Sequence, residues 1–80
     1  MLDTDSTLDV LRGITKDVVP EVDLTKFTAD RRLADLGCNS IDRAEIMTVT
    51  MDRLGAVIPS TELHSELRIG DLVALLQRYA

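Results

Sequence analysis

The stretch Leu36-Gly37-Cys38-Asn39-Ser40-Ile41-Asp42-Arg43-Ala44-Glu45-Ile46-Met47-Thr48-Val49-Thr50-Met51-Asp52-Arg53-Leu54-Gly55 decides how this chain is organised. Asn39 and Ser40 are both good helix N-caps, and Gly55 is a favoured residue just past a helix end. The spacing therefore predicts a helix from about Ser40 to Leu54. Its apolar positions fall on two sides. Ile46, Val49, Thr50 and Leu54 make one stripe; Ile41, Ala44, Thr48 and Met51 make another, with Glu45 and Asp52 beside it. A surface helix of a small bundle packs through one apolar stripe. The second is surplus to folding.

Upstream, residues 20–39 form a connection longer than most in compact domains. Leu24, Phe27, Leu33 and Leu36 are its expected anchors, with a helical turn near Asp30 to Ala34. Before it, Asp5 to Val19 reads as a helix. Ser6 followed by Asp9 matches a capping box, Leu8, Leu11, Ile14 and Val18 form one stripe, and Pro20 ends the run. Downstream, Ile58-Pro59 breaks the chain and Ser60 can cap a short helix through about Ser65. From Asp71 to Tyr79, Leu72, Leu75, Leu76 and Tyr79 follow helical spacing, with Asp71 in the first turn where the dipole favours an acid. No strand pattern appears. The expectation is an all-α four-helix bundle, three helices long and one short, with a long loop between helices one and two, in one domain spanning residues 1–80.

Composition narrows the function. Eighty residues lie near the lower size limit for a single core, and 45% apolar residues with only Phe27 and Tyr79 aromatic make that core aliphatic. The single cysteine, Cys38, excludes an intrachain disulfide and a zinc site built on cysteines. A net charge of −5 with no basic patch argues against nucleic acid. Met1-Leu2-Asp3-Thr4-Asp5 is acidic where a secretory leader is basic, and no run reaches the roughly 18 apolar residues of a membrane span. A soluble cytoplasmic monomer is expected, without membrane contact. Asp3-x-Asp5 lacks the continuation of a calcium loop. Cys38 has no activating partner in sequence and reads as a small packed residue; Met47 and Met51 read as packing, and His64 as a solvated residue of the short helix.

Ser40 is the candidate functional residue. If Asn39 caps the helix, Ser40 takes the first helical position with its hydroxyl turned outward, unneeded by the backbone. If Ser40 caps, the hydroxyl is spent.

The run Leu36-Gly37-Cys38-Asn39-Ser40-Ile41-Asp42 resembles the attachment site of acyl carrier proteins, roughly Leu-Gly-x-Asp-Ser-Leu-Asp in that family. Glu45, the Ile58-Pro59 break, the long first loop and the short third helix extend the resemblance over nearly the whole chain. It implies a carrier without catalytic residues or a metal, in which a phosphopantetheinyl transferase moves a 4′-phosphopantetheine arm from coenzyme A onto Ser40, making a phosphoprotein. The arm's thiol would hold acyl groups as thioesters. A phosphodiester on Ser40 would gain roughly 0.3–1 kcal/mol from the helix dipole, enough to bias an arm but not to hold one. The resemblance also implies partner docking at Ile41, Ala44, Glu45, Thr48, Met51 and Asp52. Asparagine stands at position 39 where the family usually has aspartate, and Arg43 and Arg53 make the second helix less acidic than in carriers of fatty acid synthesis. The run from Asn39 to Glu45 looks more like freestanding carriers of bacterial polyketide pathways, in particular the β-branching carriers that present acetyl or malonyl units to an HMG-synthase-like enzyme. Acyltransferases and ketosynthases are the other implied partners. Alternatives are a carrier of fatty acid synthesis, a peptidyl carrier, and a small helical interaction domain without a prosthetic group.

Overall fold

Three α-helices joined by two long connections make up the computed structural model, which describes residues 3–80; Met1 and Leu2 of the acidic amino-terminal reading lie outside the described residues. The helices are α1 (Thr4–Val18), α2 (Ser40–Leu54) and α3 (Ile69–Tyr79). Single 3-10 turns interrupt the connections at Leu24–Lys26, Leu33–Leu36 and Ser60–Glu62, and no strand occurs among the described residues. α1 packs against both other helices. The all-α bundle expected from the sequence is present, and no helix among the described residues is long and apolar enough to cross a membrane.

α1 starts earlier than its expected capping box. Asp3 sits in extended conformation, and its Oδ1 accepts from the Ser6 amide at 2.6 Å. Ser6 therefore supplies a donor inside the first turn and does not cap. The helix stops at Val18, where the Val19 amide donates to the Thr15 carbonyl at 2.9 Å ahead of Pro20. Leu11 and Ile14 of the predicted stripe are buried, and Leu8 and Val18 half-buried. Thr7 and Thr15 are buried with them. Their hydroxyls donate to the Asp3 and Leu11 carbonyls at 2.9 and 2.7 Å, so the methyl groups face the core with no polar group left unpaired.

α2 runs as predicted, and Gly55 closes it in the left-handed conformation at φ +68°. Ile46, Met47 and Thr50 are its buried residues, with the Thr50 hydroxyl donating to the Ile46 carbonyl at 2.7 Å. Val49, placed by its spacing in the inner stripe, is exposed instead. At about 100° per residue it falls to the side of Ile46 away from Met47 and Thr50, at the edge of the buried face.

α3 begins at Ile69, two residues before the expected start. Asp71 is its third residue, accepting from the Arg68 amide at 2.9 Å. Ile69, Leu72, Val73 and Leu76 are buried. The short helix expected from Ser60 to Ser65 shrinks to the 3-10 turn at Ser60–Glu62, with Leu63 donating back to Ser60 at 3.1 Å. Helix nucleation is costly for so short a run, and no side chain from Pro59 to Arg68 is fully buried to offset it.

The first connection is fastened throughout. Val22, Phe27, Leu33, Leu36 and Cys38 are buried, and Leu24 half-buried. Its turn falls at Leu33–Leu36, slightly beyond the expected position, because Asp35 Oδ2 accepts from the Arg32 amide at 3.0 Å. This connection also touches the start of α3. The Ile69 amide donates to the Arg31 carbonyl at 2.8 Å, and the Gly70 amide to the Ala29 carbonyl at 2.9 Å. A Cβ at position 70 would lie 3.1 Å from that carbonyl oxygen and 3.2 Å from the Ala29 Cβ.

Candidate functional site at the mouth of α2

The approach to α2 is built residue by residue. Gly37 leaves the Leu33–Leu36 turn at φ +96°, a left-handed conformation that a side chain would strain. Cys38 turns into the core. Burial pushes its thiol pKa up, Asp42 pushes it further, and Arg43 opposes. A raised thiol is a poor nucleophile at neutral pH, in keeping with a packing role. Asn39 then takes the cap. Its Oδ1 accepts from the Asp42 amide at 2.8 Å, and Asp42 Oδ2 accepts from the Asn39 amide at 3.1 Å.

With the cap occupied, Ser40 is the first residue of the helix and is exposed. Its hydroxyl makes no hydrogen bond to the described residues. The Arg43 amide is taken by the Asn39 carbonyl at 2.9 Å, while the Ser40 and Ile41 amides find no partner among the described residues. A free hydroxyl thus stands beside two unpaired donors at the positive end of a helix dipole.

A cavity of about 440 Å³ opens against this mouth, within the roughly 300–1,000 Å³ of small-molecule sites. α2 lines one side with Ser40, Arg43, Ala44, Met47, Thr48 and Met51. The second connection lines the other with Ile58, Ser60, Leu63, His64, Ser65 and Leu67.

The residues expected to meet partners therefore divide. Ala44, Thr48 and Met51 border the cavity, whereas Ile41, Glu45 and Asp52 are exposed outside it, Ile41 at 75%. His64, read from the sequence as a solvated helical residue, is exposed but lies beyond the 3-10 turn and borders the cavity. Ser60, His64 and Ser65 carry no sequence signal for this placement; only the folding of the second connection over α2 brings them there. Among the described residues, no group of three or more His, Cys, Asp or Glu side chains is placed to hold a metal ion.

Known proteins resemble this chain along most of its length. The profile described as "Phosphopantetheine attachment site" matches residues 9–76. The chain is 36% identical over 75 residues to "Polyketide biosynthesis acyl-carrier-protein AcpK" of Bacillus subtilis (strain 168), covering 94% of this chain and 92% of that protein. No solved structure matches it.

Proposed function

The chain belongs to the phosphopantetheine-attachment family of acyl carrier proteins, and from that premise we propose that Ser40 is the attached residue and that the protein carries acyl groups in a bacterial polyketide pathway. The observation that carries the reading is the unspent Ser40 hydroxyl, left free because Asn39 supplies the cap. The residues present fit the group. An anionic phosphodiester on that oxygen meets the unpaired amides of Ser40 and Ile41 and the dipole of α2. When attached, 4′-phosphopantetheine supplies a flexible thiol on which acyl groups travel as thioesters.

The chain's own residues do the rest. Gly37 and buried Cys38 hold the serine at a fixed, exposed lip, open to a transferase. Ile41, Glu45 and Asp52 offer visiting enzymes one apolar and two acidic contacts on the outer side of α2. Ala44, Thr48 and Met51 border the cavity beside them. The protein is in this reading a carrier with no catalysis of its own. Tethering raises the local concentration of cargo at each docked partner, so the docking contacts can be weak. The finer proposal is a donor of acetyl or malonyl units to an HMG-synthase-like β-branching enzyme, supported by the run from Asn39 to Glu45 and by the polyketide relative.

Intact mass measurement tests the attachment. Incubation with a broad-specificity phosphopantetheinyl transferase and coenzyme A adds one phosphopantetheine, and Ser40→Ala abolishes the gain. A wild-type chain that gains nothing defeats the reading and leaves an interaction domain; a Ser40→Ala chain that still gains it defeats the assignment to Ser40 and moves the attachment to another side chain. The outer face has its own test. Glu45→Lys and Asp52→Lys should slow acyl transfer to a partner while leaving circular dichroism unchanged; unaltered kinetics in both would remove that face from docking.

A further inference from the structure

Arg43 stands in the wrong place for a cation without an anion. It lies in the opening turns of α2, near the end of the helix dipole that disfavours positive charge. It is half-buried, and Nη1 donates to the Cys38 carbonyl at 3.0 Å, which holds the guanidinium back against the chain entering the helix. Its other N–H groups have no partner among the described residues. The ion pairs found there are Arg32 with Asp35 and Arg32 with Glu66, and neither involves Arg43. Asp42, its neighbour, is committed to the Asn39 amide.

Ser40 and Arg43 are three residues apart on one helix, which puts their Cβ atoms about 5–6 Å from each other. Both border the same cavity. The geometry points to Arg43 as the phosphodiester-binding residue of this carrier: its guanidinium pairs with the anion formed on the Ser40 oxygen and turns what is attached there along the cavity rather than into solvent. The inference rests on attachment at Ser40. A planar guanidinium already fixed by one carbonyl keeps further N–H groups in a rigid fork suited to phosphate oxygens. The carboxylate of a dicarboxylic acyl cargo is the other anion that could reach it, but that group lies a full arm's length from Ser40. The phosphodiester is bonded at Ser40 itself.

The test uses the whole chain, nitrogen-labelled, before and after transfer of phosphopantetheine from coenzyme A. The mass gain and its loss in Ser40→Ala are checked first; their failure removes the Ser40 reading, and this inference with it. In protein that has gained the mass, the Arg43 Nε–H resonance should shift on attachment with no acyl group present. The phosphorus resonance should be displaced from its position in the unfolded loaded chain. Arg43→Gln should cut that displacement to what the Ser40 and Ile41 amides supply alone, Arg43→Lys should retain more of it, and added salt should shrink it. Three outcomes overturn the inference. One is an Arg43 resonance and a phosphorus resonance indifferent to attachment and substitution. Another is equal displacement in the Lys and Gln variants, which means that Arg43 acts only through the Cys38 carbonyl. The third is an Arg43 shift that appears only when the arm is transferred from malonyl-coenzyme A, which assigns the guanidinium to the acyl carboxylate.

Discussion

Between Val19 and Asn39, the side chains of Val19, Val22, Phe27, Leu33, Leu36 and Cys38 are buried; between Gly55 and Arg68 only Ala56 and Ile58 are, both ahead of the turn at Ser60. The two connections are both long, yet the first is fastened along its length and the second mainly near its ends. The first delivers Ser40 to a fixed lip. The second lays Leu63, His64 and Leu67 over α2 as the far wall of a cavity, tied by the Tyr79 hydroxyl donating to Glu62, by Arg32 to Glu66 at 3.2 Å, and by the backbone bond from Ile69 to Arg31. Few buried apolar contacts mean a low free energy of local opening. On the proposed function that division is useful: the Ser40 lip keeps one geometry for every visiting enzyme, while the wall beside it is freer to open.

The strongest way to break this contrast is to truncate one leucine in each connection. Leu36→Ala should cost roughly 2–5 kcal/mol, enough to threaten folding of so small a domain. Leu63→Ala, at a half-buried side chain, should cost about 1 kcal/mol or less. Denaturant unfolding measures both, and equal losses would erase the distinction between platform and wall.

A smaller effect sharpens it. Tyr79 is the single tyrosine, so its ionisation can be followed by ultraviolet absorbance without interference. The hydrogen bond to Glu62 raises its pKa above the ordinary value, with burial and the Glu62 charge adding to the shift. The sign follows directly. The fold favours the neutral phenol, so its contribution is complete below the unfolded-state pKa and disappears as pH rises through the higher folded-state value. Glu62→Gln should move the titration midpoint back down. A midpoint unchanged by that substitution would show that the second connection is not held at this end by the phenol.

Much of this was legible in the sequence where the determinants are local. The limits of α2, its cap alternatives and its closing glycine depend on residues within one turn of each other, and the pattern found them. Leu33, Leu36 and Phe27 are apolar residues in a polar connection, and they are buried. Three features escaped for physical reasons. Thr7 and Thr15 are buried because each hydroxyl bonds a carbonyl one turn back, which apolar periodicity cannot register; Thr50, with the same bond, had its place in the inner stripe. The helix expected from Ser60 to Ser65 had a cap but nothing to bury. Whether Asn39 or Ser40 capped α2 could not be decided from residue preferences, since both suit the position; the bond from the Asp42 amide decides it.

The missing side chain at position 70 has a practical consequence. Replacing a helical glycine by alanine ordinarily hardens a protein, by about 0.4–1 kcal/mol where the backbone can accept it. Here a single methyl would need the Ala29 carbonyl and Cβ to give by a few tenths of an ångström, and Ala29 belongs to the strap of backbone bonds that joins α3 to a segment far away in the chain. At this position the familiar exchange yields its gain only as far as Ala29 and the bonds around it give way, so the measured change reads out how stiff that strap is.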